Sequence, residues 1–457
     1  MDEWNSIGDS NSFYSEFSTQ NFENSPFSDS SSSSSQDPDN PLSEQNIIQW
    51  FMDDTLSNLL NLRREAIENE AASSQRRRRP RQVIERNREE ADQRLYNDYF
   101  SNSPTYTDDL FWQRFRMRRN LFLRIVEGVT NYDQYFQSTI DSTGRRSFSP
   151  LQKCTAAMRM LAYGSSADAV DEYIRMGETT AIMCMKRFVQ AINGVFGEEY
   201  LRRPTVVDVQ RLMQIGEQRG FPGMLWSIDC MHWEWRNCPT AWHGQYVRGD
   251  HGYPTIILEV VASADLWIWH AFFGLAGTLN DINVLDRSPI FHEVLEGKAP
   301  QVNYVVNGNH YNLGYYLADG IYPSWATFVK SIPLPQSAKH KLFAKKQEGA
   351  RKDIERAFGV LKARFAIISN PARMGSKETL GQIMRACIII HNMIVEDERD
   401  SYAIDFNYTN ESVNCNVSIP ENSPGHFIRN EDYIRIHARI RNRPTNHRLQ
   451  EDLIEEI

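Results

Sequence analysis

Three acidic residues stand out by their surroundings. Asp229 interrupts Met224-Leu-Trp-Ser-Ile-Asp-Cys-Met-His-Trp-Glu-Trp235, an aromatic and branched stretch that reads as a strand opened by Phe221-Pro222-Gly223. A lone ionised carboxylate is costly to bury, so this one must be paired, hydrogen-bonded or bound to a metal. Two further acids offer the third option: Asp319 in Tyr315-Tyr-Leu-Ala-Asp-Gly-Ile-Tyr-Pro323, and Glu355 in Arg351-Lys-Asp-Ile-Glu-Arg-Ala-Phe-Gly-Val-Leu-Lys-Ala-Arg-Phe365. Clustered carboxylates raise one another's pKa unless cations sit between them. Mg2+, or Mn2+ in its place, takes hard oxygen ligands, and two such ions roughly 3.5–4 Å apart activate an attacking oxygen and stabilise a leaving one. The trio therefore points to cleavage of phosphodiester bonds. Each acid also has a plainer reading: Asp319-Gly320 as a turn, Asp229 as a satisfied strand-end residue, Glu355 as part of a salt-bridged helix face.

The elements that must position these acids come in order along the chain. After Asp229 comes a polar loop, residues 236–253, then strands over 254–262 and 266–273 joined by Ser263-Ala-Asp265. A helix is expected over 280–291, with Asp281 as a secondary acid that touches metal or caps that helix. A fourth strand, 315–318, ends at Asp319. A loop rich in Pro and Lys, 330–350, then leads to a helix whose Ile354, Phe358, Leu361 and Phe365 form an apolar stripe with Glu355 off it. A three-strand meander, a crossover, a strand ending in Asp and a later helix carrying Glu is the order of a ribonuclease-H-like α/β core. The 35 residues between Asp319 and Glu355 suit an Asp-Asp-Glu nuclease.

Other clusters are weaker. Cys230, His232, Cys238 and His243 lack the close pairs that zinc sites use. His391 and Asn392 lie in an apolar helical run and read as a buried, hydrogen-bonded pair. Upstream, Phe111, Phe115, Leu121, Phe122, Ile125 and Val126 are spaced for a buried helical face. Ser149-Pro150 starts a helix to about Tyr163, a short helix runs to Ile174, and a longer one extends from Glu178 to Phe196. That cadence is helix-turn-helix-like, with Lys186 and Arg187 outward as DNA contacts, although plain three-helix packing explains it equally well. Arg351, Lys352 and Lys362 offer further phosphate contacts.

The chain divides into four segments: a disordered leader, 1–95; a helical region, 96–205; the catalytic core, 206–398; and a linker with a helical tail, 399–457. The leader is rich in Ser, Asn and Asp, and cannot offset the entropy of folding. Its cluster of Arg76, Arg77, Arg78, Arg79 and Arg81 resembles a nuclear import signal, so the nucleus is the expected compartment; a solvated linker run is the plainer alternative. A net charge of −9 over 457 residues argues against indiscriminate coating of nucleic acid. Six irregularly spaced cysteines suggest free thiols in a reducing compartment. No secretory signal opens the chain, and the most apolar stretch, 254–279, is interrupted by Glu259, Asp265 and His270, so no membrane span is expected.

The segments around Asp229, Asp319 and Glu355, with Gly274-Leu-Ala-Gly-Thr-Leu-Asn-Asp-Ile-Asn-Val-Leu-Asp286 and Ile388-Ile-Ile-His-Asn-Met393, resemble the transposases of the plant PIF/Harbinger superfamily and host proteins derived from them. The resemblance runs from about Asn97 to Glu398. It implies that Asp229, Asp319 and Glu355 are the metal-binding catalytic acids, that DNA is the substrate, and that a separate Myb-like protein supplies DNA binding. Two functions are open: a metal-dependent DNA endonuclease or transposase, or a domesticated descendant serving as a non-catalytic nuclear chromatin or transcription module. A homo-oligomer is compatible with either.

Overall fold

The computed structural model describes residues 63–64, 84–140, 142, 144–249, 252–295, 301–402, 416–418 and 430–457. The expected disordered leader up to residue 83 (residues 63–64 apart), with its arginine cluster, and most of the linker after residue 402 lie outside the described residues. The elements named below all lie in the unit Glu85–Ile457.

A mostly helical region comes first: α1 (Arg88–Tyr99), α2 (Asp108–Phe115), α3 (Arg119–Tyr132), α4 (Pro150–Tyr163), the single turn α5 (Asp171–Ile174), α6 (Glu178–Tyr200) and α7 (Val206–Gln218). The boundaries have local causes. Ser149 and Gln152 form a reciprocal capping box ahead of Pro150, and Gly164 ends α4 at φ +58°. Thr107 caps α2. Phe111 and Phe115 stack with ring centres 4.2 Å apart and meet Phe122 and Tyr99 in one aromatic cluster. Along α6, Met185, Val189, Ile192 and Phe196 are buried as their spacing predicts, whereas Ile182 is only half-buried.

The central sheet is built from β1 (Met224–Glu234), β2 (Thr255–Ala262), β3 (Ile268–Ala276), β6 (Tyr315–Ala318) and β7 (Phe328–Lys330), in the order β3-β2-β1-β6-β7. β1, β2 and β3 form an antiparallel meander, while β6 joins β1 in parallel and β7 joins β6 in parallel. Gly223 admits the chain to β1: its φ is +83°, and a Cβ there would lie 2.2 Å from the Tyr304 ring. Between β1 and β6 lie the short helices α8 (His243–Tyr246), α9 (Asp281–Leu285) and α10 (His292–Leu295) and the strands β4 (Gln301–Val306) and β5 (Asn309–Tyr311). After β7 come α11 (Ala338–Arg364), α12 (Ala366–Ser369), α13 (Lys377–Tyr402), β8 (Asn416–Ser418), α14 (Asn430–Ile440) and α15 (Arg443–Glu456). α6 packs on α4, α3 and α13, and is the spine of the helical layer.

Several expectations change. The helix foreseen over 280–291 stops at Leu285, because Ser288 and Pro289 restart the chain as a separate turn over Pro289–Phe291. The loop foreseen over 330–350 gives way to α11 at Ala338, where Ser337 caps it and buried Phe343, Ala344 and Gln347 extend the stripe toward the N-terminus. A second sheet, β5-β4-β8, was not foreseen, since two of its strands have three residues and show no alternation. The C-terminal helices dock on the core: Leu449 and Leu453 are buried, and Asp452 accepts hydrogen bonds from Asn307, Asn309 and Tyr311. Among the described residues no helix is long and apolar enough to cross a membrane.

Candidate functional site

In the parallel pair β1–β6, Ser227 lies opposite Leu317. Asp229 and Asp319 each stand two residues further along, so the register carries both acids to the same face of neighbouring strands. Asp319 is the first residue beyond β6, and the amide of Ile321 donates to its Oδ1 at 2.9 Å. Asp229 Oδ1 accepts from the amide of Cys230 at 2.9 Å.

Glu355 arrives on α11, which is fixed at two points. Gln347 Nε2 donates to the carbonyls of Ala318 and Val329, both at 3.1 Å, which ties the helix to the strand ends beside Asp319. Arg219 and Arg356 both pair with Asp353, whose carboxylate is buried. From this helix Arg351 reaches into the acids: Nη1 donates to Asp229 Oδ2 at 3.2 Å and Nη2 to Glu355 Oε1 at 2.7 Å. Arg351, expected to contact phosphate, thus bridges two of the three expected catalytic acids.

A fourth acid joins them. Asp281, at the start of α9, lies close enough to interact electrostatically with Cys230 and Asp319, and Cys230 Sγ lies 3.8 Å from the hydroxyl of buried Tyr322. Burial pushes Asp229 up to about 6, and Asp281 and Asp319 add to the rise, against the Cys230 amide and Arg351. Burial, then Asp319, also raises Asp281. Arg248 acts on Asp281 and Lys330 faces Asp319, so the four carboxylates stand against Arg351 and two more distant cations. Glu259 on β2 is wholly buried behind Cys230, its β-ladder partner, and accepts from Ser288 with His270 3.4 Å away. Sequence reasoning assigned Glu259 no role, yet an acid inside an apolar strand is the same signal that singled out Asp229.

The carboxylates suit a hard divalent cation in kind. Their positions are conditional on Arg351: with the guanidinium between Asp229 and Glu355, no three ligating side chains come together on one point among the described residues. Of the other candidates, Lys186 and Lys352 are exposed and Lys362 is half-buried. Arg187 is engaged by Asp133 at 3.0 Å and lies over Tyr135. His232 is held between Thr255 and Arg248, at 3.0 and 3.1 Å, apart from Cys230, which faces Tyr322.

Residues 198–402 match the family described as Plant transposon protein, and residues 92–130 match a domain of unknown function. Over residues 198–402 the chain is similar to plant transposon proteins. The matched region holds the acids, the central sheet and α11, and a curated relative, "Protein ALP1-like" of Arabidopsis thaliana, is 25% identical over 281 residues. That match covers 57% of this chain and 66% of the relative. No solved structure matches.

Proposed function

We propose that the core is a ribonuclease-H-like, transposase-type DNA nuclease in which Asp229, Asp319 and Glu355 are the catalytic acids. One observation carries the reading: the register of β1 on β6 aligns Asp229 with Asp319, and Arg351 links Asp229 to Glu355 on α11. The sheet order, a meander followed by two parallel strands, supports the ribonuclease-H-like assignment. Mg2+ or Mn2+ held by these acids would supply activation of the attacking oxygen and stabilisation of the leaving one. In the free protein Arg351 neutralises two of the acids. A substrate phosphate competes for the guanidinium, which pairs with phosphate oxygens as readily as with carboxylates. Arrival of DNA therefore draws Arg351 from Asp229 and Glu355 and leaves the acids free to take a cation. On this reading the nuclease works in the nucleus, with a Myb-like partner supplying sequence recognition.

The second reading, a domesticated chromatin or transcription module, is favoured by the same arginine, because a permanent Arg351 bridge leaves an acid cluster that never charges with metal. The test is nicking of supercoiled plasmid, with the Myb-like partner present, by wild type, Asp319→Asn and Arg351→Gln. The nuclease reading expects Mg2+-dependent nicking by wild type, a fall of about a hundredfold or more in Asp319→Asn, and a rise in the wild-type melting temperature on adding Mg2+. No nicking together with melting indifferent to Mg2+ would hand the protein to the second reading.

A further inference from the structure

The helical region encloses a second charged hollow, of the opposite sign. Its walls are Tyr99 at the end of α1, Tyr106 ahead of α2, Arg114 in the last turn of α2, Arg159 and Tyr163 on α4, and Tyr173 on α5, around a space of about 300 Å3. Arg114 lies over Tyr106 with its guanidinium carbon 3.9 Å from the ring centre, and Arg159 and Arg94 lie over Tyr173 at 4.4 and 4.8 Å. Arg116 is 5.6 Å from the Tyr163 ring. The Tyr99 hydroxyl accepts from both Arg114 and Arg159.

Among the described residues no carboxylate forms an ion pair with any of these four arginines, and the Nε atoms of Arg116 and Arg159 are buried without a hydrogen-bond partner. Asp98 accepts a hydrogen bond from the Tyr173 hydroxyl. Like charges held this close repel one another. Stacking on tyrosine rings offsets part of that cost, and because stacking uses the guanidinium face it leaves the N–H groups beyond those given to Tyr99 and the Tyr173 carbonyl available. Such an arrangement is complementary to an anion with several acceptor oxygens. Phosphate matches two guanidinium forks, but it alone is smaller than the hollow, and the half-open Tyr163 ring (42% exposed) offers a flat face for an aromatic group.

We propose that this hollow binds single-stranded nucleic acid, with Arg114 and Arg159 on a phosphate and Tyr163 beneath an unpaired base. Bases in a duplex are already stacked, so a ring platform discriminates for the single strand. In a chain of net charge −9, a local basic hollow is also where a polyanion would be drawn. The site draws on none of the elements that carry the acids, and its test needs no catalysis.

The test is fluorescence anisotropy with the full chain in EDTA, using a labelled fifteen-nucleotide oligo-dT, a duplex of equal length and a tyrosine-phosphorylated peptide. The single strand should bind tightest. Arg159→Gln and Tyr163→Ala should each weaken it about fivefold or more. Arg159→Gln should also flatten the dependence of log K on log salt by about 0.7 for the lost phosphate contact, and Arg159→Lys should restore that slope. If Arg159→Gln melts early, Tyr163→Ala carries the test, since its ring is part-exposed. Affinities equal to wild type in a folded Tyr163→Ala, a duplex bound as tightly as the single strand, or preference for the phosphopeptide would each overturn the proposal.

Discussion

The acid site and the buried polar hub beneath β3 use the same kinds of side chain to opposite ends. In the hub, Arg364 donates to Glu398 at 2.6 Å and meets His391 Nδ1 at 3.2 Å, while His391 Nε2 lies 2.8 Å from the carbonyl of Leu266. Trp112 donates to the second oxygen of Glu398. Asn392 accepts from the amide of Ile268 and donates to the carbonyls of Ile268 and Tyr200. Charge balances charge there, and His391 and Asn392 are wholly buried. The hub also holds Leu266, whose φ of +67° is a left-handed conformation that side chains disfavour, in the turn joining β2 to β3. At the acid site only Arg351 is hydrogen-bonded to the carboxylates Asp229 and Glu355, Arg248 and Lys330 act from a distance on Asp281 and Asp319, and the Glu355 side chain is 47% exposed. The hub's ionisable groups hold the fold; the acids are held by it, and they store repulsion that a ligand can relieve.

The sharpest way to break this comparison is to remove one charge from each region. Glu398→Leu leaves Arg364 buried and unpaired, and should cost about 3–5 kcal/mol in denaturant unfolding. Glu355→Leu removes an exposed partner and should cost no more than about 1 kcal/mol. Equal losses would show that the acids are as structural as the hub.

Next in size is a pH effect. Burial, then the neighbouring Arg364, depresses His391 to about 3. The unfolded chain therefore takes up this proton first, so stability is intact above about pH 6.5 and falls as pH drops toward 3, by about 1.4 kcal/mol per unit. Between pH 6.5 and 5 the wild type should lose about 2 kcal/mol that His391→Gln does not lose, measured by urea unfolding at both pH values.

The smallest effect should be at Asp319. Asp319→Asn takes one charge out of a mutually repelling set, so in EDTA its stability should match wild type or exceed it by up to about 1 kcal/mol. A loss larger than that of Glu398→Leu would erase the distinction between the regions.

Much of this was legible from local signals. The Ser149-Pro150-Gln152 start of α4, the strand around Asp229, the meander and the buried His391–Asn392 pair all derive from capping, branched-residue content and apolar periodicity. The readings that failed share a cause. Three-residue strands carry no period, Ser288-Pro289 cuts a helix that apolar spacing alone would continue, and the Lys-rich start of α11 looks like a loop until Phe343 and Gln347 find the sheet.

The sequence by itself determined which residues are acids in apolar strands and in what order they come, because burying a carboxylate is costly enough to mark its position. Only the tertiary structure decided what neutralises them. The spacing of Arg351 and Glu355 on one helix announces their pair, whereas Asp229 is 122 residues away from Arg351 and meets it through the packing of α11 on the sheet. The tyrosine and arginine hollow likewise draws on α1, α2, α4 and α5. Coulomb energy depends on distance through space, and no local pattern reports the distance between elements that meet only when the chain has folded.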